Sequence, residues 1–368
     1  MKFQTKLFYL FLFILNMSCS DVKENQKPGL YKIDVRLDDV LNLSAIASDV
    51  KFIRLSNDNL LRDVSKLLLD KDENMYILDS NGDGVFKFDR TGKYVCQISR
   101  KGHGPGEYTK ISDFDIFEDR MIVNDRYKQF FYHLDGTFIS EQKEYFPRSV
   151  VWVNDTICES FGIQSLGVYI DGAETRFFKT EFTDNDLMVS HGFHFTKNGN
   201  HIYWEDCYND TIYTIRGGKP LPYLYVDFGD LKLPSDIPID NTIVMNDKIK
   251  RYCFDVSRFK ISDNFITFSF KHTNCFYVCI HNRQTSDSYV YKTIVNDVNI
   301  APTGFFPMYI KNEVLYFVSP SEDIFNYYTA LKESPEKEHQ QMASRILEAV
   351  GGSIDEMDNP FIVAVTCK

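Results

Sequence analysis

The sequence predicts an all-β protein, a six-bladed β-propeller of four-stranded antiparallel blades with a short helix inserted before the C-terminal strand. Three observations carry this expectation. Aromatic residues make up 15% of the chain, with 31 Phe and 22 Tyr, and such side chains suit the half-buried pleated surface of a sheet. One apolar strand pattern returns several times, and self-similarity along a chain marks repeat architectures. A length of 368 residues fits one repetitive all-β unit better than a minimal domain.

The first segment is distinct. Lys2 and Lys6 precede nine apolar residues, Leu7 to Leu15, and then comes Asn16-Met17-Ser18-Cys19. Nine residues are too few to span a bilayer as a helix, but they fit the apolar stretch of a secretory signal. The segment resembles a bacterial lipoprotein signal, in which the cysteine is lipidated and becomes the mature N-terminus; it departs from the usual pattern by placing Leu15 one position early. Residues 1–18 are therefore expected to be a signal peptide and Cys19 the lipidation site, with ordinary cleavage and release as the alternative. Residues 19–29 are polar and poor in core residues, as a flexible tether requires. The Ser20-Asp21 pair resembles the acidic signal by which Bacteroidetes send lipoproteins to the outer cell surface. The expected location is the outer membrane, on its periplasmic or its exposed face.

The folded body is expected over residues 30–368. Met75-Tyr76-Ile77-Leu78-Asp79 returns as Met121-Ile122-Val123-Asn124-Asp125. Each copy is followed by an aromatic strand and a tight turn, Val85 to Lys93 and Phe130 to Thr137, with Thr-Gly or Asp-Gly marking a hairpin. Weaker copies begin at Thr156, His201, Phe265 and Val314. Each reads as the second strand of a blade, which makes six.

Two segments break the rhythm. Residues 216–250 hold Pro220, Pro222, Pro234 and Pro238, and proline is excluded from central strands, so an insertion with edge or irregular structure is expected there. Residues 330–350 are rich in Glu, Lys, Gln and Ala and end at Gly351-Gly352, which predicts a surface helix. Phe361 to Thr366 is a plain strand. It is expected to close the ring with the N-terminal strand around Val50 to Leu55, leaving no sheet open around the ring.

Charge narrows the partners. Loss of residues 1–18 removes two of the 41 basic residues, leaving 39 against 52 acidic ones. An acidic surface repels phosphate backbones, so nucleic acid is excluded as a partner. Besides Cys19 there are seven cysteines, Cys96, Cys158, Cys207, Cys253, Cys275, Cys279 and Cys367. An odd number widely spaced does not make a disulfide framework, and most are expected as buried small hydrophobes.

At residues 92–139 a family pattern emerges. Gly92-Lys93-Tyr94-Val95, Gly102-His103-Gly104-Pro105-Gly106-Glu107-Tyr108, Phe114-Asp115-Ile116, Asp125-Arg126 and Asp135-Gly136-Thr137-Phe138 resemble an NHL-type repeat. The chain as a whole is similar to the six-bladed propeller lipoproteins of Bacteroidetes. That resemblance implies a fold and a membrane anchor, without a settled activity.

Loops on a rigid scaffold usually carry function. In a propeller, the loop between second and third strands shares a face with the crossing to the next blade. One rim is therefore expected to present Asp79, Asn81, Asp83, Arg100, Lys101, His103, Glu107, Tyr108, Asp125 and Arg126. Asp79 to Gly84 imitates the start of a calcium loop, but its twelfth position is Arg90 where a bidentate glutamate is needed. The glycine loop lacks a following helix to bind phosphate, so no nucleotide is expected; its glycines are expected to permit positive φ, with Glu107 and Tyr108 anchoring the crossing. His191, His194 and His201 form a weak metal candidate, because no carboxylate or cysteine completes a recognised spacing. Trp152 and Trp204 could stack on sugars, but in strands such rings more often join the core.

No nucleophile elbow or His-Glu-x-x-His helix occurs. The expectation is a lipid-anchored extracytoplasmic binding or scaffold protein that uses one propeller face to hold a glycan, a peptide or a surface protein, with no cofactor. The alternative is a lactonase-like or lyase-like propeller enzyme with a divalent metal at the axis.

Overall fold

The computed structural model describes residues 30–81, 84–125, 127–143, 148–162, 165–178, 193–206, 208–235, 237 and 247–368. The expected signal peptide, the tether and Cys19 lie outside these residues, as do Asp83, Arg126, His191, Cys207 and Pro238.

Six radial antiparallel sheets surround one axis. Blade 1 runs outward through Val64–Leu69, Met75–Asp79, Gly84–Phe88 and Tyr94–Ile98. Blade 2 follows with Ile111–Phe117, Arg120–Asp125, Lys128–His133 and Phe138–Lys143. Blade 3 comprises Ser149–Val153, Thr156–Gly162, Ser165–Ile170 and Ala173–Phe177. Blade 4 holds Phe195–Asn198, His201–Glu205, Thr211–Arg216 and Lys219–Asp227. Blade 5 holds Phe254–Ile261, Phe265–His272, Cys275–Asn282 and Ser288–Tyr291. Each of the six expected second strands occupies that place in its blade.

Blade 6 closes the ring as expected. Pro307–Lys311, Val314–Ser319 and Phe361–Cys367 come from the C-terminal part, and Ala47–Arg54 supplies the outermost strand. The register puts Val363 opposite both Phe317 and Phe52. Opening the ring would therefore break a whole ladder and expose Val363 and Val365, both fully buried.

The second strands explain why the repeat reads as a run of apolar residues. In Met75–Asp79 every residue is buried. Met75 and Ile77 pack with Tyr316 and Ile362 of blade 6, while Tyr76 and Leu78 pack with Phe114, Met121 and Phe130 of blade 2. A radial sheet between two neighbours has no solvent face, so both sides of the strand are apolar. Each fully buried large side chain contributes about 1.5–3 kcal/mol.

Three expectations need correction. The proline-bearing segment is no insertion throughout, because Lys219–Asp227 is the fourth strand of blade 4. Pro220 and Pro222 face Ile215 and Tyr213 on one side, and the strand's other side is unpaired there, which is where a residue without an N–H is tolerated. From Leu224 onward that outer side pairs in parallel with Tyr31–Asp34, giving blade 4 a fifth strand. The helix expected at 330–350 is a hairpin of two, Ser321–Glu333 and Lys337–Ala349. Ser334 is extended because it precedes Pro335, which disfavours helical geometry. Ile324, Leu331, Ala343 and Ile346 seat the hairpin on Leu315 and Phe361 of blade 6. No helix among the described residues is long and apolar enough to cross a membrane.

Candidate functional site

The innermost strands of all six blades border one axial cavity of about 1230 Å³. Its lining reaches Asp63 and Ser80 on the face of the blade crossings, and Asp70, Asp72, Glu118 and Asp119 on the opposite face. Between these ends the wall combines Phe193, Phe195, Phe306, Met308, Tyr309 and Ile310 with four cations, Lys66, Lys197, Arg258 and Lys260. This volume exceeds that of most small-molecule pockets.

Two of the cations are neutralised by blade 2. Lys66 Nζ donates to Asp113 Oδ1 and to the Phe114 carbonyl, each at 2.7 Å. Asp113 is wholly buried and also accepts from Ser149 Oγ at 3.0 Å and Val150 N at 2.8 Å. Burial raises its carboxyl above the ordinary value, opposed by the Lys66 charge. Lys197 Nζ lies 2.7 Å from Asp115 Oδ2, which also accepts Trp152 N at 2.7 Å. Burial lowers the Lys197 ammonium, opposed by Asp115. These carboxylates therefore join neighbouring blades and balance a cation at once.

Arg258 and Lys260 differ. Among the described residues neither reaches a carboxylate within ion-pair distance. Lys260 Nζ contacts the Phe259 carbonyl at 3.2 Å, and the Arg258 guanidinium lies over the rings of Phe306 at 4.0 Å and Phe276 at 5.5 Å. Burial pushes the Lys260 ammonium below the usual lysine range; Glu205 opposes this, and Lys66 and Arg258 add to it. Glu205 is buried at the end of the second strand of blade 4, and its oxygens take Arg258 N at 2.9 Å and Phe259 N at 2.6 Å. Burial raises its carboxyl above the ordinary glutamate value.

The backbone here is unusual. Pairing slips twice between Phe254 and Lys260, so that this stretch opposes the shorter Thr267–Lys271. Asp255 and Arg258 adopt φ of +62° and +54°, a conformation that costs non-glycine residues about 1–3 kcal/mol each. Such bulges re-aim side chains, and here both Arg258 and Lys260 reach the cavity.

The expected rim residues are distributed otherwise. Asp79 is buried and accepts the backbone N–H of Arg62, Asp63 and Asn81. Asp125, its repeat counterpart, is buried and accepts those of Thr109, Tyr127 and Lys128. Glu107 holds the blade 1 to blade 2 crossing by accepting from Arg100 Nε at 2.7 Å and Gly104 N at 2.9 Å, and these partners, Gly104 first, hold its carboxyl below the usual range. Tyr108 is buried, its hydroxyl accepting from Gln97 at 3.2 Å. Gly106 has φ +69°, and a Cβ on it would overlap Phe138. Asn81, Arg100, Lys101 and His103 are exposed.

Of the histidine candidates within the described residues, His194 and His201 do not converge. His194 is buried, and its carbonyl accepts from Glu205 N; His201 is exposed and pairs with Asn198 at the other end of the hairpin. Among the described residues, no three His, Cys, Asp or Glu side chains cluster to hold a metal. Trp204 is buried, and Trp152 packs on Phe117 and Phe131. Cys158, Cys253, Cys279 and Cys367 are buried, Cys96 half-buried and Cys275 exposed.

The cavity cations were not anticipated. Lys66 and Lys197 each sit alone on a strand, Arg258 and Lys260 share a third, and the three strands are far apart in sequence. The available signal is a charge inside an otherwise apolar first strand, as in Ser65-Lys66-Leu67 or Arg258-Phe259-Lys260.

Two Bacteroides crystal structures share the fold. One, from Bacteroides fragilis NCTC 9343 and named a "putative exported protein", is 15% identical, with a TM-score of 0.72 over 92% of this chain and 100% of that one. The other, a member of the DUF4221 family from Bacteroides vulgatus ATCC 8482, is 11% identical, with a TM-score of 0.50 over 88% of this chain and 97% of that one. At such identities the likeness is one of fold. A family model described as a domain of unknown function matches residues 30–366. No curated protein matches the chain.

Proposed function

The chain belongs to the DUF4934 family, and we propose that it is a lipid-anchored extracytoplasmic binding protein that takes a small-molecule ligand into its axial cavity. The carrying observation is the cavity itself. It is about 1230 Å³ in volume and bordered by strands of every blade, with charged groups converging on an aromatic wall. A rigid ring with a preformed cavity loses little conformational freedom on binding, which favours recognition over remodelling. The signal-like segment ending at Cys19 and the polar residues behind it support export and anchoring. The exposed Asn81, Arg100, Lys101 and His103 offer the crossing face to a glycan, a peptide or a surface protein.

Thermal-shift screening of the purified mature protein against small molecules tests the cavity. A ligand that raises Tm for the wild type and raises it less for Met308→Trp, which narrows the cavity, supports the reading. Stabilisation undiminished in the variant places binding elsewhere and overturns it. Fractionation tests the anchor: Cys19→Ala is expected to move the protein from membranes to the soluble fraction.

A further inference from the structure

We propose that the axial cavity receives an organic anion, whose charged head is held by Arg258 and Lys260 and whose apolar body lies against Phe193, Phe306 and Met308. This rests on the cavity-binding reading and names the chemistry of its ligand.

The argument begins with which charges are already balanced. Lys66 and Lys197 each hold a carboxylate at 2.7 Å. Among the described residues, the charged heads of Arg258 and Lys260, which line the same cavity, contact rings and one neighbouring carbonyl. Glu205 is the carboxylate with the strongest influence on Lys260, but its oxygens are engaged by the N–H groups of Arg258 and Phe259. It braces the strand, and among the described residues it makes no direct ion pair with either cation head.

The second strand of argument is the cost of this arrangement. Cations in a largely apolar wall are disfavoured unless paired, and the left-handed φ at Asp255 and Arg258 adds strain. Strain of this kind persists where the surrounding structure enforces it, and it clusters at ligand sites. An arriving anion would supply the missing partner.

Shape selects the kind of anion. Arginine offers a planar fork to a carboxylate or a phosphate, and lysine adds a point charge. The wall between the two polar ends carries Phe193, Phe195, Phe306, Met308 and Ile310, so an inorganic ion would leave that apolar surface unmatched.

Isothermal calorimetry on the mature protein with 2-naphthoate, 2-naphthyl phosphate, 2-naphthol and inorganic phosphate tests this. At least one naphthyl anion is expected to bind tenfold or more tightly than 2-naphthol and than inorganic phosphate, and the better of the two identifies a carboxylate or a phosphate head. Lys260→Gln and Arg258→Asn, the latter tolerant of the left-handed backbone, are each expected to weaken that anion at least tenfold and to leave 2-naphthol within about twofold. Equal binding of 2-naphthol and the anions by the wild type overturns the anion site and spares the cavity reading, whether or not the variants fold. Unchanged anion binding by folded variants does the same. Tighter binding of inorganic phosphate than of either naphthyl anion overturns the organic body. If no naphthyl compound binds, both readings fall.

Discussion

Lys66 of blade 1 and Asp113 of blade 2 meet with Nζ 2.7 Å from Oδ1, inside the ring and almost wholly buried. The pair sits where the first strands of neighbouring blades approach the axis, and Asp113 extends the contact to blade 3 through Val150 N. One carboxylate thus ties three blades together.

Removing the cation leaves Asp113 without its compensating charge. Lys66→Met is therefore expected to destabilise the fold by about 3–5 kcal/mol, read as a lower urea midpoint with unchanged slope. The double variant Lys66→Met, Asp113→Leu is expected to lose less than the sum of the single changes.

His281 reports on pH. Its Nε2 lies 2.7 Å from the Tyr31 hydroxyl and its Nδ1 2.8 Å from Ser288 Oγ, joining the N-terminal strand to blade 5. Burial, then the nearby Arg283 charge, lowers its pKa below the ordinary histidine value, with Asp287 opposing. The unfolded chain then binds the proton more readily, so this contribution is present above the unfolded value of about 6.5 and is lost as pH falls below it. Between pH 7.5 and 5.5 the urea midpoint of the wild type is expected to fall more than that of His281→Gln. Parallel curves would refute it.

Gly92 sits where blade 1 touches the closing blade. It has φ +89°, and a Cβ on it would lie 1.9 Å from the Arg54 carbonyl oxygen. The Gly92 carbonyl also accepts Ser56 N at 2.8 Å. Gly92→Ala is expected to cost about 1–3 kcal/mol from φ alone, with the overlap added, and to lower Tm by several degrees.

Asp125 serves the blade 2 crossing by taking three backbone N–H groups. Asp125→Ala strands these donors and is expected to cost about 1–3 kcal/mol, whereas Asn81→Ala, on an exposed residue, is expected to stay within about 0.5 kcal/mol. Chemical denaturation of both variants checks the contrast.

Of the expected rim, Glu107, Tyr108, Asp79 and Asp125 mark places where the chain must turn; the first three stand out near glycines in the sequence, and Asp125 as the repeat counterpart of Asp79. Their side chains are engaged in holding those turns. The cavity residues leave a fainter trace, since Lys66, Lys197 and Lys260 lie far apart in sequence, and only ring closure brings them to one axis.

The sequence by itself determined the architecture: a two-sided apolar second strand repeated six times can be buried only between radial neighbours, and the strands near the two ends can pair only by closing a circle. It also marked several of the turns, because positive φ favours glycine locally. Tertiary structure alone decided which charges meet at the axis, which prolines lie on an outer strand and where the helix breaks into a hairpin. The first two depend on register between strands distant in sequence, and local patterns carry no record of it. The third depends on where blade 6 offers an apolar seat to Ile324 and Ile346.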